Sequence, residues 1–219
     1  IIEKLGTVKA VAFDKTGTLT EGRPGVTHVK SYGLPEDEIL RIAAIGEAYS
    51  EHPLGKAIIK EAEERPNFKP KAPEKAEMII GQGLSFRLEG VDYLIGNRKL
   101  FDQTSIDLAA YEAYLKAEET KGQTAVILGT EDDILGVISI ADRIREDARS
   151  LVKELKRLGV KQIAMLTGDN KRAAGAVADQ LGLDAYYAEL LPEEKVRVLN
   201  ELSQAYGSVA MVGDGVNDA

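Results

Sequence analysis

Cysteine and tryptophan are missing from this 219-residue chain, and histidine occurs only twice. Without thiols there can be no disulfide, thiolate metal centre or cysteine nucleophile, and two imidazoles are too few for a histidine-rich metal centre. An excess of basic residues is lacking as well. Lys and Arg number 28 against 36 Asp and Glu, a net charge of −8, which argues against nucleic acid as a partner because backbone binding needs a basic footprint. The longest uncharged apolar run, residues 134–141, is far short of the roughly 20 residues that span a bilayer. The Walker A pattern G-x-x-x-x-G-K-[S/T] does not occur, and GQGLSF at residues 81–86 lacks the third glycine of a dinucleotide fingerprint.

What is present is a core-forming apolar content of 44% and one stretch around which the rest can be arranged. Residues 8–13 are almost wholly apolar and read as a buried parallel strand. The chain then switches to DKTGTLT, residues 14–20. Asp14 is thereby placed at the strand's carboxyl end, where open α/β sheets bind their ligands. Lys15 beside it is expected to keep the carboxylate ionised, and Thr16, Gly17 and Thr18 offer hydroxyls and backbone N–H groups suited to phosphate. Asp14 reads as a nucleophile toward a phosphoryl group. The bland alternative is a polar turn after a strand, since Asp, Thr and Gly are ordinary turn formers.

From residue 142 onward helices and strands alternate: helix 145–158, strand 161–166, helix 171–181, strand 185–188, helix 192–206, strand 208–212. This pattern predicts a doubly wound parallel sheet completed by the strand before Asp14. Its strands run into TGDN at residues 167–170 and GDGVNDA at residues 213–219. Asp14 and Asp214 can together hold Mg2+, which takes few carboxylates and keeps water and phosphate oxygens. Thr167, with Gly168, Asp169 and the N–H groups opening the next helix, would bind phosphate oxygens. Lys195, in LLPEEK, can neutralise charge on a transferring phosphoryl group. Taken singly, Lys195 is a surface lysine and Asp169 a helix cap; as an ordered set they are hard to explain that way.

Residues 24–135 do not follow the alternating order and read as a separate inserted α+β unit with antiparallel strands. A helix over 35–49 places Glu47 near its carboxyl end, where negative charge opposes the helix dipole. Ser50 is expected to cap the following helix, with His52 in the joint. Gly81 and Gly83 mark a turn or a close approach to the backbone.

DKTGTLT, TGDN, GDGVNDA and the lysine of LLPEEK closely resemble the motifs of P-type ATPases, cation pumps of the haloacid dehalogenase-like superfamily. SEHPL at residues 50–54, Glu47 upstream, Gly81-x-Gly83 and Ile95-Gly96-Asn97 resemble the nucleotide-binding domain of their heavy-metal (P1B) subgroup. The resemblance spans essentially the whole chain. It implies that ATP phosphorylates Asp14, that Asp14, Thr16 and Asp214 hold Mg2+, and that Asn217 and Asp218 hold the loop and the phosphate site. It also implies that Glu47, His52, Gly81, Gly83 and Asn97 surround ATP. Phosphatases of the superfamily carry a second Asp as general acid and base two residues after the nucleophile. Thr16 stands there instead, so an aspartyl phosphate should hydrolyse slowly.

The expected organisation is 1–23 and 136–219 as a split phosphorylation domain around a nucleotide-binding domain at 24–135. The chain opens on Ile1 without a leader and stops at Ala219 directly after a motif, so it is expected to be a piece of a longer protein. Membrane helices and an actuator domain, with its Thr-Gly-Glu loop, would lie elsewhere. Such a piece would be the cytoplasmic part of an integral membrane pump, with a lean toward zinc, cadmium or cobalt over copper. A free-standing phosphatase of the same fold and an inactive regulatory nucleotide-binding module are the competing readings. Thr16 speaks against the first, and intact Asp14, Lys195 and Asp214 against the second.

Overall fold

In the computed structural model, which describes residues 8–213, β1 (Ala10–Asp14) is buried at every position. Its side chains alternate between two apolar layers. Val11 and Phe13 join Leu19, Ile163 and Met165 in one, and Ala12 joins Ala164, Leu166 and Val198 in the other. This period-two alternation accounts for an unbroken apolar run in a strand covered on both faces.

After β1 the chain makes a tight turn and builds the antiparallel unit. Its elements are β2 (Gly25–Ser31), α1 (Glu36–Gly46), α2 (Pro53–Glu63), β3 (Lys75–Ile79), β4 (Gly83–Leu88), β5 (Val91–Gly96), α3 (Arg98–Phe101), α4 (Ala109–Thr120), β6 (Thr124–Gly129) and β7 (Ile134–Ala141). The strands form one six-stranded sheet in the order β2-β7-β6-β5-β4-β3. On one face α1 and α2 bury Ile39, Leu40, Ile42, Ile45 and Ile58 against Leu84, Phe86, Ile95 and Ile138. On the other, Leu100, Phe101 and Leu115 cover Ile127, Ile134 and Val137. Glu36, Asp37 and Glu38 in the first turn of α1 favour its start through the helix dipole. The β4–β5 hairpin turns at Glu89 and Gly90, both with positive φ (53° and 79°), as the twist of a two-residue hairpin requires.

The chain then returns to complete the parallel unit with α5 (Ala148–Arg157), β8 (Gln162–Leu166), α6 (Lys171–Leu181), β9 (Ala185–Tyr187), α7 (Pro192–Tyr206) and β10 (Val209–Val212). The sheet order is β10-β1-β8-β9, every pair parallel. Ala148 and Val152 of α5 and Ala174, Val177 and Leu181 of α6 pack on the layer containing Val11, whereas Val198 and Leu202 of α7 pack on the layer containing Ala12. Helices on both faces of a parallel sheet make this the doubly wound α/β unit that the later half of the sequence predicts.

Contacts divide the described chain into 8–23, 119–122 and 142–213 on one side and 24–118 with 123–141 on the other. The first crossing coincides with the expected boundary at 23/24. The second, expected at 135/136, falls instead after Ala141, because all of β7 is paired with β2 and β6. Gly136 sits inside the strand, where a Cβ would come within 3.0 Å of Ile39 Cγ2 and the Lys30 carbonyl. One shorter expectation also shifts. The helix expected over 35–49 ends at Gly46.

Candidate active site

All strands of the parallel sheet end at one edge, and Asp14 lies opposite Leu166 of β8 while Phe13 lies opposite Val212 of β10. The carboxyl ends of β1, β8 and β10 therefore lie side by side. Asp14 is buried at this edge. Thr16 continues in extended conformation (φ −72°, ψ 126°), and Gly17 turns the chain back at φ 78°, a backbone region that only glycine enters without cost. Thr20 closes the turn. Its N–H donates to the Lys15 carbonyl (3.1 Å), and its Oγ1 accepts the Gly17 N–H (3.2 Å).

A segment that no motif singled out holds this turn. Thr20 Oγ1 donates to Asp142 Oδ2 (2.5 Å), which also accepts the Gly22 N–H (3.2 Å), while Asp142 Oδ1 accepts the Arg23 N–H (3.0 Å). Arg145 donates from Nε to the Thr20 carbonyl and from Nη2 to the Gly17 carbonyl, both at 3.1 Å. The clue in the sequence is a charged DRIRED run directly after the apolar strand β7, with no turn that needs it.

The two lysines have a pairing different from the expected one. Lys195 Nζ, from the first turn of α7, lies 2.5 Å from Asp14 Oδ1. Lys15 does not serve its neighbour: its buried ammonium pairs with Asp169. Two cations and two carboxylates thus meet at the strand ends, all with side chains at most 15% exposed. In so dry a place charge–charge interactions are stronger than in water.

In TGDN, Thr167 is buried and its Oγ1 accepts the Asp169 N–H (3.1 Å). Gly168 leaves its Cβ position 3.5 Å from the Leu190 carbonyl. The cap of α6 is Asn170, not Asp169, and Asn170 Oδ1 accepts the N–H groups of Arg172 and Ala173. Two of the helix-start donors expected to face phosphate are therefore already satisfied. Asp214, Asn217 and Asp218 lie outside the described residues. The donors on hand at Asp14 and Thr16 are oxygens, which fit a hard ion such as Mg2+. Among the described residues no group of three or more His, Cys, Asp or Glu forms a metal cluster.

The antiparallel unit gathers the other candidates into two groups. At the joint of α1 and α2, Glu47 opens a 3-10 turn (Glu47–Tyr49). Burial raises its carboxyl above the usual range, and a hydrogen bond from Ser50 partly offsets that. Gly55 makes room for this pair, since its Cβ would sit 2.5 Å from Glu47 Oε2 and 2.6 Å from Ser50 Oγ. The cap of α2 is His52, whose Nδ1 accepts the Leu54 N–H (3.2 Å), while Ser50 Oγ accepts the His52 N–H. In the second group, Asn97 Nδ2 donates to the Gly81 carbonyl (2.9 Å) and Asn97 N–H to the Gln82 carbonyl (2.8 Å). Gly83 faces Gly96 across β4 and β5. A Cβ on Gly83 would lie 2.1 Å from the Ile95 carbonyl, so the close approach expected here is made by the chain's own strand.

Comparison with known proteins matches this arrangement. Residues 8–219 match the family described as haloacid dehalogenase-like hydrolase. The whole chain is 43% identical to a probable cadmium-transporting ATPase of Alkalihalophilus pseudofirmus and 43% identical to the zinc/cadmium/lead-transporting P-type ATPase of Escherichia coli, of which it spans 31% and 29%. A copper-exporting P-type ATPase B of Archaeoglobus fulgidus is 44% identical over 99% of the chain, again 31% of that protein. Among solved structures, a zinc-transporting PIB-type ATPase in the E2.Pi state superposes with TM-score 0.65 at 41% identity, over 99% of this chain and 35% of that one. The catalytic domain of the CPx-ATPase CopB-B, studied on nucleotide binding, superposes with TM-score 0.72 at 28% identity, over 99% of this chain and 75% of that one. The chain spans about a third of the curated relatives it matches. It belongs to the haloacid dehalogenase-like hydrolase family, and along its whole length it is similar to a part of heavy-metal P-type ATPases.

Proposed function

We propose that this chain binds ATP and accepts its γ-phosphate on Asp14, as the catalytic part of a heavy-metal cation pump. The observation that carries the reading is Asp14 buried at the end of β1 with Lys195 Nζ 2.5 Å from its carboxylate, within a chain similar along its length to metal-transporting ATPases. An Asp14 oxygen attacks the γ-phosphorus, the bond to the β,γ-bridging oxygen breaks, and ADP leaves with that oxygen. Lys195 offsets charge on the phosphoryl oxygens, and Thr167 supports them from β8; positioning and electrostatics supply most of such catalysis. Asp14, Thr16 and Asp214 would hold Mg2+, which supplies further charge neutralisation when bound. With Thr16 in place of a second acid, no side chain at that position activates water against the aspartyl phosphate. Glu47, His52, Gly81, Gly83 and Asn97 of the antiparallel unit form the ATP site.

The longer protein would supply membrane helices, the transported ion's ligands and an actuator domain, with this part on the cytoplasmic side. Among the described residues no helix is long and apolar enough to cross a membrane. Zinc, cadmium or cobalt is the favoured cargo, supported by the cadmium- and zinc-transporting relatives. The 44% identity to a copper exporter supports copper as the second reading, and stimulation of the intact pump by Zn2+ or Cd2+ rather than Cu+ separates the two. For the chemistry itself, Asp14→Asn should bind ATP normally and lose the acid-stable phosphoryl label. Asp214→Ala should lose Mg2+-dependent labelling. A label that survives in Asp14→Asn overturns the proposal.

A further inference from the structure

Among the described residues only two non-glycine residues have a left-handed backbone. One is Glu89, in the β4–β5 hairpin. The other, Glu189 (φ 59°), lies between β9 and α7, where no hairpin demands it. L-residues rarely adopt that conformation, and when they do at a working site the surroundings hold them there. Here the surroundings are the TGDN loop: Glu189 N–H donates to the Asp169 carbonyl (2.8 Å) and Leu190 N–H to the Thr167 carbonyl (3.1 Å).

Directly after this turn α7 begins. Glu194 Oε2 accepts the Leu191 N–H (2.9 Å), while the Leu191 carbonyl accepts the N–H groups of Glu194 (2.9 Å) and Lys195 (3.3 Å). The other oxygen of Glu194 lies 3.7 Å from Arg197. The next residue is Lys195, which reaches Asp14. A closed circuit results: Lys15 pairs with Asp169, the Asp169 carbonyl holds Glu189, Glu194 closes the turn that follows, and Lys195 returns to the carboxylate next to Lys15.

We propose that Glu194 is a positioning residue for phosphoryl transfer: by closing the first turn of α7 onto Leu191 it sets where Lys195 meets Asp14, with left-handed Glu189 directing the turn. The inference rests on the reading of Asp14 as phosphoryl acceptor. A capping bond holds one turn in one register, and a displacement of about 1 Å at a reacting group is enough to slow chemistry about a hundredfold.

The test is single-turnover labelling from γ-labelled ATP in wild type, Glu194→Ala, Glu194→Gln, Lys195→Ala and the Glu194→Ala/Lys195→Ala double variant, with ATP affinity measured in parallel. Glu194→Ala should label about tenfold more slowly with ATP affinity unchanged. Glu194→Gln should label like wild type, because its amide oxygen can accept the same N–H. In the Lys195→Ala background Glu194→Ala should add nothing further. Losses that multiply in the double variant, or a Gln variant as slow as the Ala variant, overturn the inference. Should Glu194→Ala fold poorly, Glu189→Gly and Glu189→Val decide: Gly keeps the left-handed turn and full labelling, and β-branched Val slows it only when Lys195 is present. If wild type takes no label at Asp14, the phosphoryl reading fails separately. Carbon-13 lysine NMR then judges the positioning, since the Lys195 signal must move in Glu194→Ala and stay in Glu194→Gln.

Discussion

Arg145 Nη2 donates to the carbonyl of Gly17, the one residue of DKTGTLT with a left-handed backbone. Together with the Nε bond to Thr20 and the Asp142 carboxylate on residues 20–23, it ties the turn after Asp14 to the return crossing of the chain. Arg145→Ala should therefore cost about 1.5–3 kcal/mol in urea unfolding, the range for hydrogen bonds to a charged group, and slow labelling of Asp14 with ATP binding intact. Arg145→Lys should recover part of both losses, since one ammonium cannot reproduce the fork. Wild-type labelling and stability in Arg145→Ala would show that the turn holds itself.

His52 has two separable tasks in the proposed ATP site, as cap of α2 and as ring. His52→Asn restores a cap, because Asn is among the best N-cap residues, whereas His52→Ala loses about 1 kcal/mol of it. Both variants should lose ATP affinity, and only Ala should lose thermal stability. Normal ATP affinity in His52→Asn would leave the residue a cap and nothing more.

Burial raises the Glu47 carboxyl above its usual range, against a hydrogen bond from Ser50. For an acid with a raised folded value, the stability it contributes is full below its unfolded value and is lost as pH rises through the folded one. Glu47→Gln should thus gain on wild type in melting temperature as pH rises from about 4.5, the ordinary glutamate range, toward neutrality. Parallel curves across that interval would contradict the raised carboxyl.

Gly83 has φ 144° and a Cβ position 2.1 Å from the Ile95 carbonyl. Gly83→Ala should destabilise the antiparallel unit by about 2–4 kcal/mol through backbone strain and displacement. Gly25, with nothing within 4 Å of its Cβ position and no positive φ, is the matched control and should tolerate Ala. Equal melting temperatures for the two variants would remove the close β4–β5 approach as the reason for glycine.

Long regular elements were legible. Helices at Lys171–Leu181 and Pro192–Tyr206 match the expected spans residue for residue, because an amphipathic stripe, a start signal (Asn170 before one, Pro192 opening the other) and a following glycine agree there. What escaped was set by partners remote in sequence. Ser50 and His52 both can cap a helix, and which one does depended on where α2 began. Asp142 and Arg145 carry no motif, and their role exists only because the two crossings of the chain lie side by side.

The sequence by itself determined where the carboxylate stands. An apolar run ending abruptly in DKTGTLT puts a carboxylate at a strand end whatever the rest of the chain does, since that follows from burial and local turn propensity. Only the tertiary structure decided which cation serves it. Neighbours along an extended chain point to opposite sides, so Lys15 turns away to Asp169, and the ammonium beside Asp14 comes from Lys195, 181 residues later.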